Sequence, residues 1–173
     1  KGSVRLLRAE FFYWKDPTGV NDLVLLIGDS QAQTIEGQYE VTNNILKFAA
    51  KLGDKTIITI GGYRKEAEDT PRVMAVSTDP ELLQKVLQAN AIASPPGNPI
   101  VGTAGLLLGL AKFKKIDALC LLGETRGYLA DPLAAKSVLE VVQRLLRLEV
   151  DLNGLDAQIE KSKEIVARMR EIE

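Results

Sequence analysis

The chain has 173 residues, 46% hydrophobic and 26% charged, with a formal net charge of -1, which is one domain's length with enough apolar residue for a core. That charge balance supplies no basic face for a polyanionic backbone, so nucleic acid is not an expected partner. There is no histidine and one cysteine, Cys120, which removes internal disulfides, cysteine-based metal clusters and every histidine-activated nucleophile.

No apolar run approaches the roughly 20 residues a bilayer span needs; the longest, Ala104 to Ala111, holds two glycines and is followed at once by Lys112. No signal peptide is visible. A membrane is therefore not an expected partner, and a reducing, cytoplasmic location is expected. Few sulfur residues with abundant Lys, Arg and Glu lean towards a thermophilic source. The start at Lys1-Gly2-Ser3 rather than Met suggests a processed or truncated product.

Val4 to Trp14 is rich in β-branched, leucine and aromatic residues with scattered charges, which predicts a strand partly open to water. Asp16-Pro17-Thr18-Gly19 is a turn signal. Leu23 to Ile27 is an unbroken apolar run, so a hairpin is expected whose second strand is buried on both faces. Tyr39, Val41, Ile45, Phe48, Ala49 and Leu52 recur at helical spacing, with Gly53 placed to end that helix. Thr56 to Ile60 and Val73 to Val76 are the next strands. Asp79-Pro80-Glu81 opens a helix with an N-cap side chain, a proline and an early acid, and Leu82, Leu83, Val86 and Leu87 give its buried stripe.

Ser94 to Asn98 is a Pro/Gly-rich loop. Gly102 to Phe113 is apolar nearly all round and is predicted as the most buried helix. Ala118 to Leu122 reads as a central strand. Asp131-Pro132 repeats the cap, ahead of a helix marked by Leu133, Val138, Leu139, Val142, Leu145 and Leu146. Strands alternating with helices predict an α/β fold with a mostly parallel sheet. In the tail, Leu152, Leu155, Ile159, Ser162, Val166 and Met169 fall at alternating steps of three and four. That heptad stripe, interrupted at Ser162, can pair with its own copy, with another subunit, or with its own domain; an intermolecular role is expected.

Three apolar runs end alike, in Gly28-Asp29-Ser30, Gly61-Gly62-Tyr63 and Gly123-Glu124-Thr125. In a parallel sheet such ends gather on one edge, where α/β proteins place ligands, so these nine residues form a candidate pocket. Turn chemistry alone also produces the pattern, and both readings stand. Gly97, Gly102 and Gly105 lead into a helix N-terminus, but without the P-loop lysine or the dinucleotide spacing. Gly105 and Gly109, four apart, are expected to admit a close-packed neighbour. Asp29, Glu36, Glu124 and Asp131 are the carboxylates available for acid–base work, with Asp131 better explained as an N-cap and Glu36 as a solvated residue. Cys120 reads as a small core residue. Catalytic residues, metal ligands and a cofactor are not predicted.

The run from Asp22 to Gln31 with Glu36 to Glu40, the block Ile60 to Tyr63, the run Gly102 to Gly109, and Cys120 to Tyr128 followed by Asp131-Pro132 resemble, in order, the archaeal branch of the proteasome assembly chaperone family. The resemblance implies a three-layer α/β/α sandwich similar to nucleoside phosphorylases, without their activity. It also implies homo-oligomers that engage proteasome α-type subunits without ATP. Members of that family usually begin with a further Gly-rich strand and helix, which this chain lacks. Some end in a hydrophobic-Tyr-any tail; this chain ends Arg170-Glu171-Ile172-Glu173, so that docking mode does not carry over. The expected division is an α/β domain over 1–148 and a heptad-like helix over 149–173, with Leu152, Leu155, Ile159, Val166 and Met169 as its interaction residues. The alternative is an α/β enzyme or binder of a small molecule or nucleotide that uses the glycine-ended strand edge.

Overall fold

The computed structural model describes residues 4–53, 56–65, 70–97, 100–127 and 129–170. Asn98, Tyr128, the side chain of Met169 and the first and last three residues of the chain lie outside the described residues.

Two sheets are present among the described residues. The first is an antiparallel hairpin of β1 (Ala9–Trp14) and β2 (Leu23–Gly28). The second has the order β3-β6-β4-β5, from β3 (Thr56–Arg64), β6 (Asp117–Thr125), β4 (Val73–Ser77) and the two-residue β5 (Ile92–Ala93). β6 is interior, as its unbroken apolar run predicts, and pairs with β3 in parallel and with β4 in antiparallel. The sheet is therefore mixed, where a mostly parallel one was expected. The cause is the short connection from β3, ending at Arg64, to β4, starting at Val73: a parallel return needs a crossover of a dozen or more residues.

Helices lie on both faces of this sheet. Leu46 and Ala49 of α1 (Ile35–Leu52) and Leu107, Leu108 and Ala111 of α3 (Gly102–Ala111) pack with Ala118 and Cys120 of β6. Alternate residues of the same strand, Leu119 and Leu121, face Val86 of α2 (Pro80–Gln88) and Val138 and Val141 of α4 (Pro132–Leu146). The strand's period of two thus feeds two separate cores. A last helix, α5 (Asn153–Arg170), packs mainly against α4.

The helix boundaries follow local chemistry. Asp79 and Asp131 accept from the N–H groups of Leu82 and Ala134, each with a proline at the next position. Gly53 ends α1 at a φ of 78°, a conformation that costs glycine nothing. The α1 stripe is rotated from the expected one: Thr42, Leu46 and Ala49 are buried, whereas Tyr39, Val41, Phe48 and Leu52 stay exposed. α3 stops at Ala111, and Phe113 falls in the following 3-10 turn with its ring in solvent.

The hairpin departs furthest from expectation. Pairing begins at Ala9 rather than Val4, and Val4, Leu6 and Leu7 are exposed. β2 is not buried: Leu25, Leu26 and Ile27 are 46%, 38% and 60% exposed. An apolar run without alternation predicts cover on both faces, and among the described residues both faces stay partly open, with Leu26 on one and Leu25 and Ile27 on the other. What holds the hairpin is a short set of ties. Phe11 stacks on Phe48 of α1 with ring centroids 4.2 Å apart, and Asn21 Nδ2 donates to the Leu146 carbonyl at the end of α4.

Candidate functional site

β3 and β6 bring two of the three glycine-ended segments side by side. Gly61 pairs with Leu122, Gly62 with Gly123, and Tyr63 with Glu124. These residues lie inside the strands, which continue to Arg64 and Thr125, rather than in turns beyond their ends. The glycines serve close approach. A Cβ on Gly123 would sit 2.9 Å from Val138 Cγ2 and 3.2 Å from the Ala134 carbonyl of α4, and one on Gly62 would meet Thr125 Cγ2 at 2.9 Å. Both contacts are tighter than normal packing allows. Thr125 Oγ1 donates to the N-cap carboxylate of Asp131.

Glu124 is the buried charge of this group, 2% exposed. Its carboxylate accepts from the backbone N–H and guanidinium of Arg72 and from Lys65 Nζ at 3.3 Å. Burial pushes the carboxyl up, but the bonds from Arg72 and Lys65 outweigh it and hold Glu124 below its ordinary value. Every lone-pair direction that these bonds use is closed to a substrate. The carboxylate fastens both ends of the β3–β4 connection to β6, which is a structural task.

Gly28 ends β2 of the other sheet, Asp29 and Ser30 follow it in a bend, and the three do not join that group. Asp29 takes two hydrogen bonds from the Arg5 guanidinium and one from the Arg8 N–H, which hold it below the ordinary carboxylate range. Ser30 donates to the Gln31 carbonyl. The next residue carries a task the sequence reading did not assign. Gln31 Oε1 accepts from Thr103 N–H in the first turn of α3, a helix whose own N-cap residue, Val101, makes no side-chain bond. Gln31 therefore caps α3 from outside. Within that helix one glycine acts by packing: a Cβ on Gly105 would lie 1.9 Å from the Ile100 carbonyl oxygen, while Gly109 faces open space. The expected close neighbour at Gly105 is thus the chain's own preceding turn. Cys120 is fully buried, and burial pushes its thiol up, as a core residue should behave.

Two surfaces could hold a protein. The first is the hairpin. Directly paired and alternate residues share a face, so the register puts Phe12, Trp14, Leu23, Leu25 and Ile27 together with one charge, Glu10. Phe12, Trp14, Leu25 and Ile27 are all exposed. The second is the tail. Ile159 is buried, and Leu152, Leu155, Ser162 and Val166 are half-buried. That stripe lies against the chain's own α4, with an ion pair between Lys136 and Asp156 across the contact. A cleft of about 410 Å³ lies there, lined by side chains of both charge signs, Thr70, Pro71, Leu133 and Ile159. Among the described residues no cluster of three or more acidic, cysteine or histidine side chains could hold a metal ion, and no helix is long and apolar enough to cross a membrane.

Comparison with known proteins agrees with this architecture. An uncharacterized protein of Methanocaldococcus jannaschii is 31% identical over 174 residues, covering 99% of this chain and 66% of that protein. Pyrococcus furiosus PbaB, an archaeal proteasome activator, superposes with a TM-score of 0.90 at 36% identity, covering 97% of this chain and 73% of that one. Pyrococcus furiosus PbaA, an archaeal homolog of proteasome-assembly chaperone, superposes with a TM-score of 0.79 at 25% identity over 93% of this chain and 66% of that one. The chain thus spans about two thirds of the length of such relatives. The PAC2 family model matches residues 1–170, and with an α/β fold of mixed sheet and helices shared with these neighbours, the chain belongs to the PAC2 family.

Proposed function

We propose that this chain is a proteasome-assembly-chaperone-like or activator-like protein that works by holding other subunits, without catalysis and without ATP. It forms a homo-oligomer and engages proteasome α-type subunits in the cytoplasm. Its architecture on this reading is a three-layer α/β/α sandwich of the nucleoside phosphorylase kind over 1–148, extended by the helix within 149–173. The similarity to PbaB and PbaA supports the assembly or activation role. The observation that carries a holding function on this chain is the uncovered hairpin face of Phe12, Trp14, Leu25 and Ile27. A contiguous apolar patch rich in aromatic residues is the signature of a protein contact.

The alternative, a small-molecule or nucleotide enzyme at the glycine-ended strand edge, draws no support from the geometry. Gly62 and Gly123 are packed against neighbouring side chains, and Glu124 is spent on Arg72 and Lys65. Native mass spectrometry of the chain alone and mixed with archaeal proteasome α subunits, without nucleotide, tests the proposal. Mixed complexes of fixed stoichiometry are expected. A chain that leaves the α subunits unbound overturns the client assignment, and one that stays monomeric overturns the oligomer.

A further inference from the structure

α5 is held to its own domain by little. Among the described residues Ile159 is its one buried side chain, and Ile165, at the edge of the stripe, is 44% exposed. Beside the contact with α4 a solvent-open cleft of about 410 Å³ runs between the two helices and Thr70 and Pro71. The ion pair of Lys136 with Asp156 is the one described bridge from α4 to α5.

Beyond Leu146, whose carbonyl accepts from Asn21 Nδ2 of the hairpin turn, the hinge between the two helices is held by its own bonds. Arg147 turns the chain with a φ of 55°, a left-handed conformation that disfavours residues other than glycine. Leu148 N–H donates to the Gln143 carbonyl, Gln143 Nε2 donates to the Val150 carbonyl, and Asn153 N–H donates to Asp151. None of these bonds reaches beyond the hinge and the last turns of α4. The arm can swing out about this hinge with α2, α3 and the sheet undisturbed. The seat it leaves on α4 is then free to take the identical α5 of another molecule through identical contacts, the condition under which an element is exchanged between protomers at low cost.

We propose that α5 is an exchangeable arm which, in the homo-oligomer, seats against α4 of a second copy, so that Lys136 of one protomer pairs with Asp156 of the next. This rests on the homo-oligomer reading above. Unlabelled and 15N-labelled chains, mixed in equal amounts in denaturant and refolded together, are treated with a carbodiimide, which joins a paired amine and carboxylate directly. Peptides carrying the Lys136–Asp156 link are read by mass spectrometry, with Asp156→Asn identifying them by their loss. About half of the linked pairs are expected to join one light and one heavy peptide, as random exchange requires. Links that are wholly light or wholly heavy, in a sample whose native mass spectrum contains mixed-label oligomers, overturn the exchange and leave the oligomer standing. A native spectrum of monomers alone overturns both.

Discussion

Asp16 spends its whole carboxylate on the turn that joins β1 to β2. It accepts from Thr18 N–H, Thr18 Oγ1, Val20 N–H and Asn21 N–H, and it is 5% exposed. The Thr18 hydroxyl and the Asn21, Thr18 and Val20 amides hold the carboxyl down, from an ordinary 3.8 to about 2. Because the unfolded chain takes up this proton first as pH falls, the stabilisation is present above about pH 4 and is lost towards pH 2. Asp16→Asn should therefore lower the urea midpoint at pH 7, and the gap to the parent should close as the pH is taken down through that window. A gap that is constant from pH 7 to pH 2 would mean the charge is irrelevant to the turn. Gly123 makes a second residue-scale test. Its Cβ would have to displace Val138 or the α4 backbone at Ala134, so Gly123→Ala should cost about 1–3 kcal/mol in denaturant unfolding. The sequence displays this glycine but not its task. A glycine after an apolar run reads as a turn; that it lies within a paired strand under a helix is set by α4, which is distant in the chain.

At the scale of elements, one carboxylate links two strands and the connection between them. Glu124 is buried, while Arg72 and Lys65 are 48% and 36% exposed, so removing the anion and removing a cation have unequal consequences. Glu124→Gln leaves cations that water can reach, and the loss should be about 1.5–3 kcal/mol, the worth of hydrogen bonds to a charged group. Arg72→Met leaves a buried carboxylate with Lys65 as its remaining described side-chain partner, and burial then governs its titration. In that variant the Glu124 pKa should rise, which gives the opposite pH response: stability is gained as the pH falls and is lost as it rises through the new pKa. Chemical unfolding of both variants between pH 4 and pH 8 reads the difference. An Arg72→Met protein with the parent's pH profile would remove the buried carboxylate as the cause. Local signals made the element ends legible here. Asp79-Pro80 and Asp131-Pro132 cap the helices as their sequences state, because a cap is satisfied within three residues. The Gln31 cap was illegible, because its helix lies 72 positions away. The α1 face was misread for a related reason: apolar residues on two sides of a helix do not say which side a neighbour will cover. Leu46 faces α3 and the sheet, and Phe48 faces the hairpin.

Across the whole molecule the two cores on either side of β6 contrast with a hairpin whose outer face nothing described covers. The strand order and the antiparallel β4 were beyond reach of periodicity, since pattern fixes an element's type and not its neighbour. The apolar character of β2 was legible, and the open question it raises is what meets that face. If a protein does, the face separates association from folding. Leu25 and Ile27 are exposed in the single chain, so charging them touches little of the folded domain and should shift stability by no more than about 0.5 kcal/mol. In a complex the same side chains are withdrawn from water, a contribution of about 1.5–3 kcal/mol for each one fully buried. Leu25→Lys combined with Ile27→Lys should therefore weaken self-association or α-subunit binding at least about tenfold, with the monomer's unfolding midpoint nearly unchanged. Sedimentation equilibrium over a dilution series, paired with denaturant unfolding, measures the two quantities independently. Association that survives the double substitution would move the contact off the hairpin, while a collapse of monomer stability would show that the face is already covered in the protein that was measured.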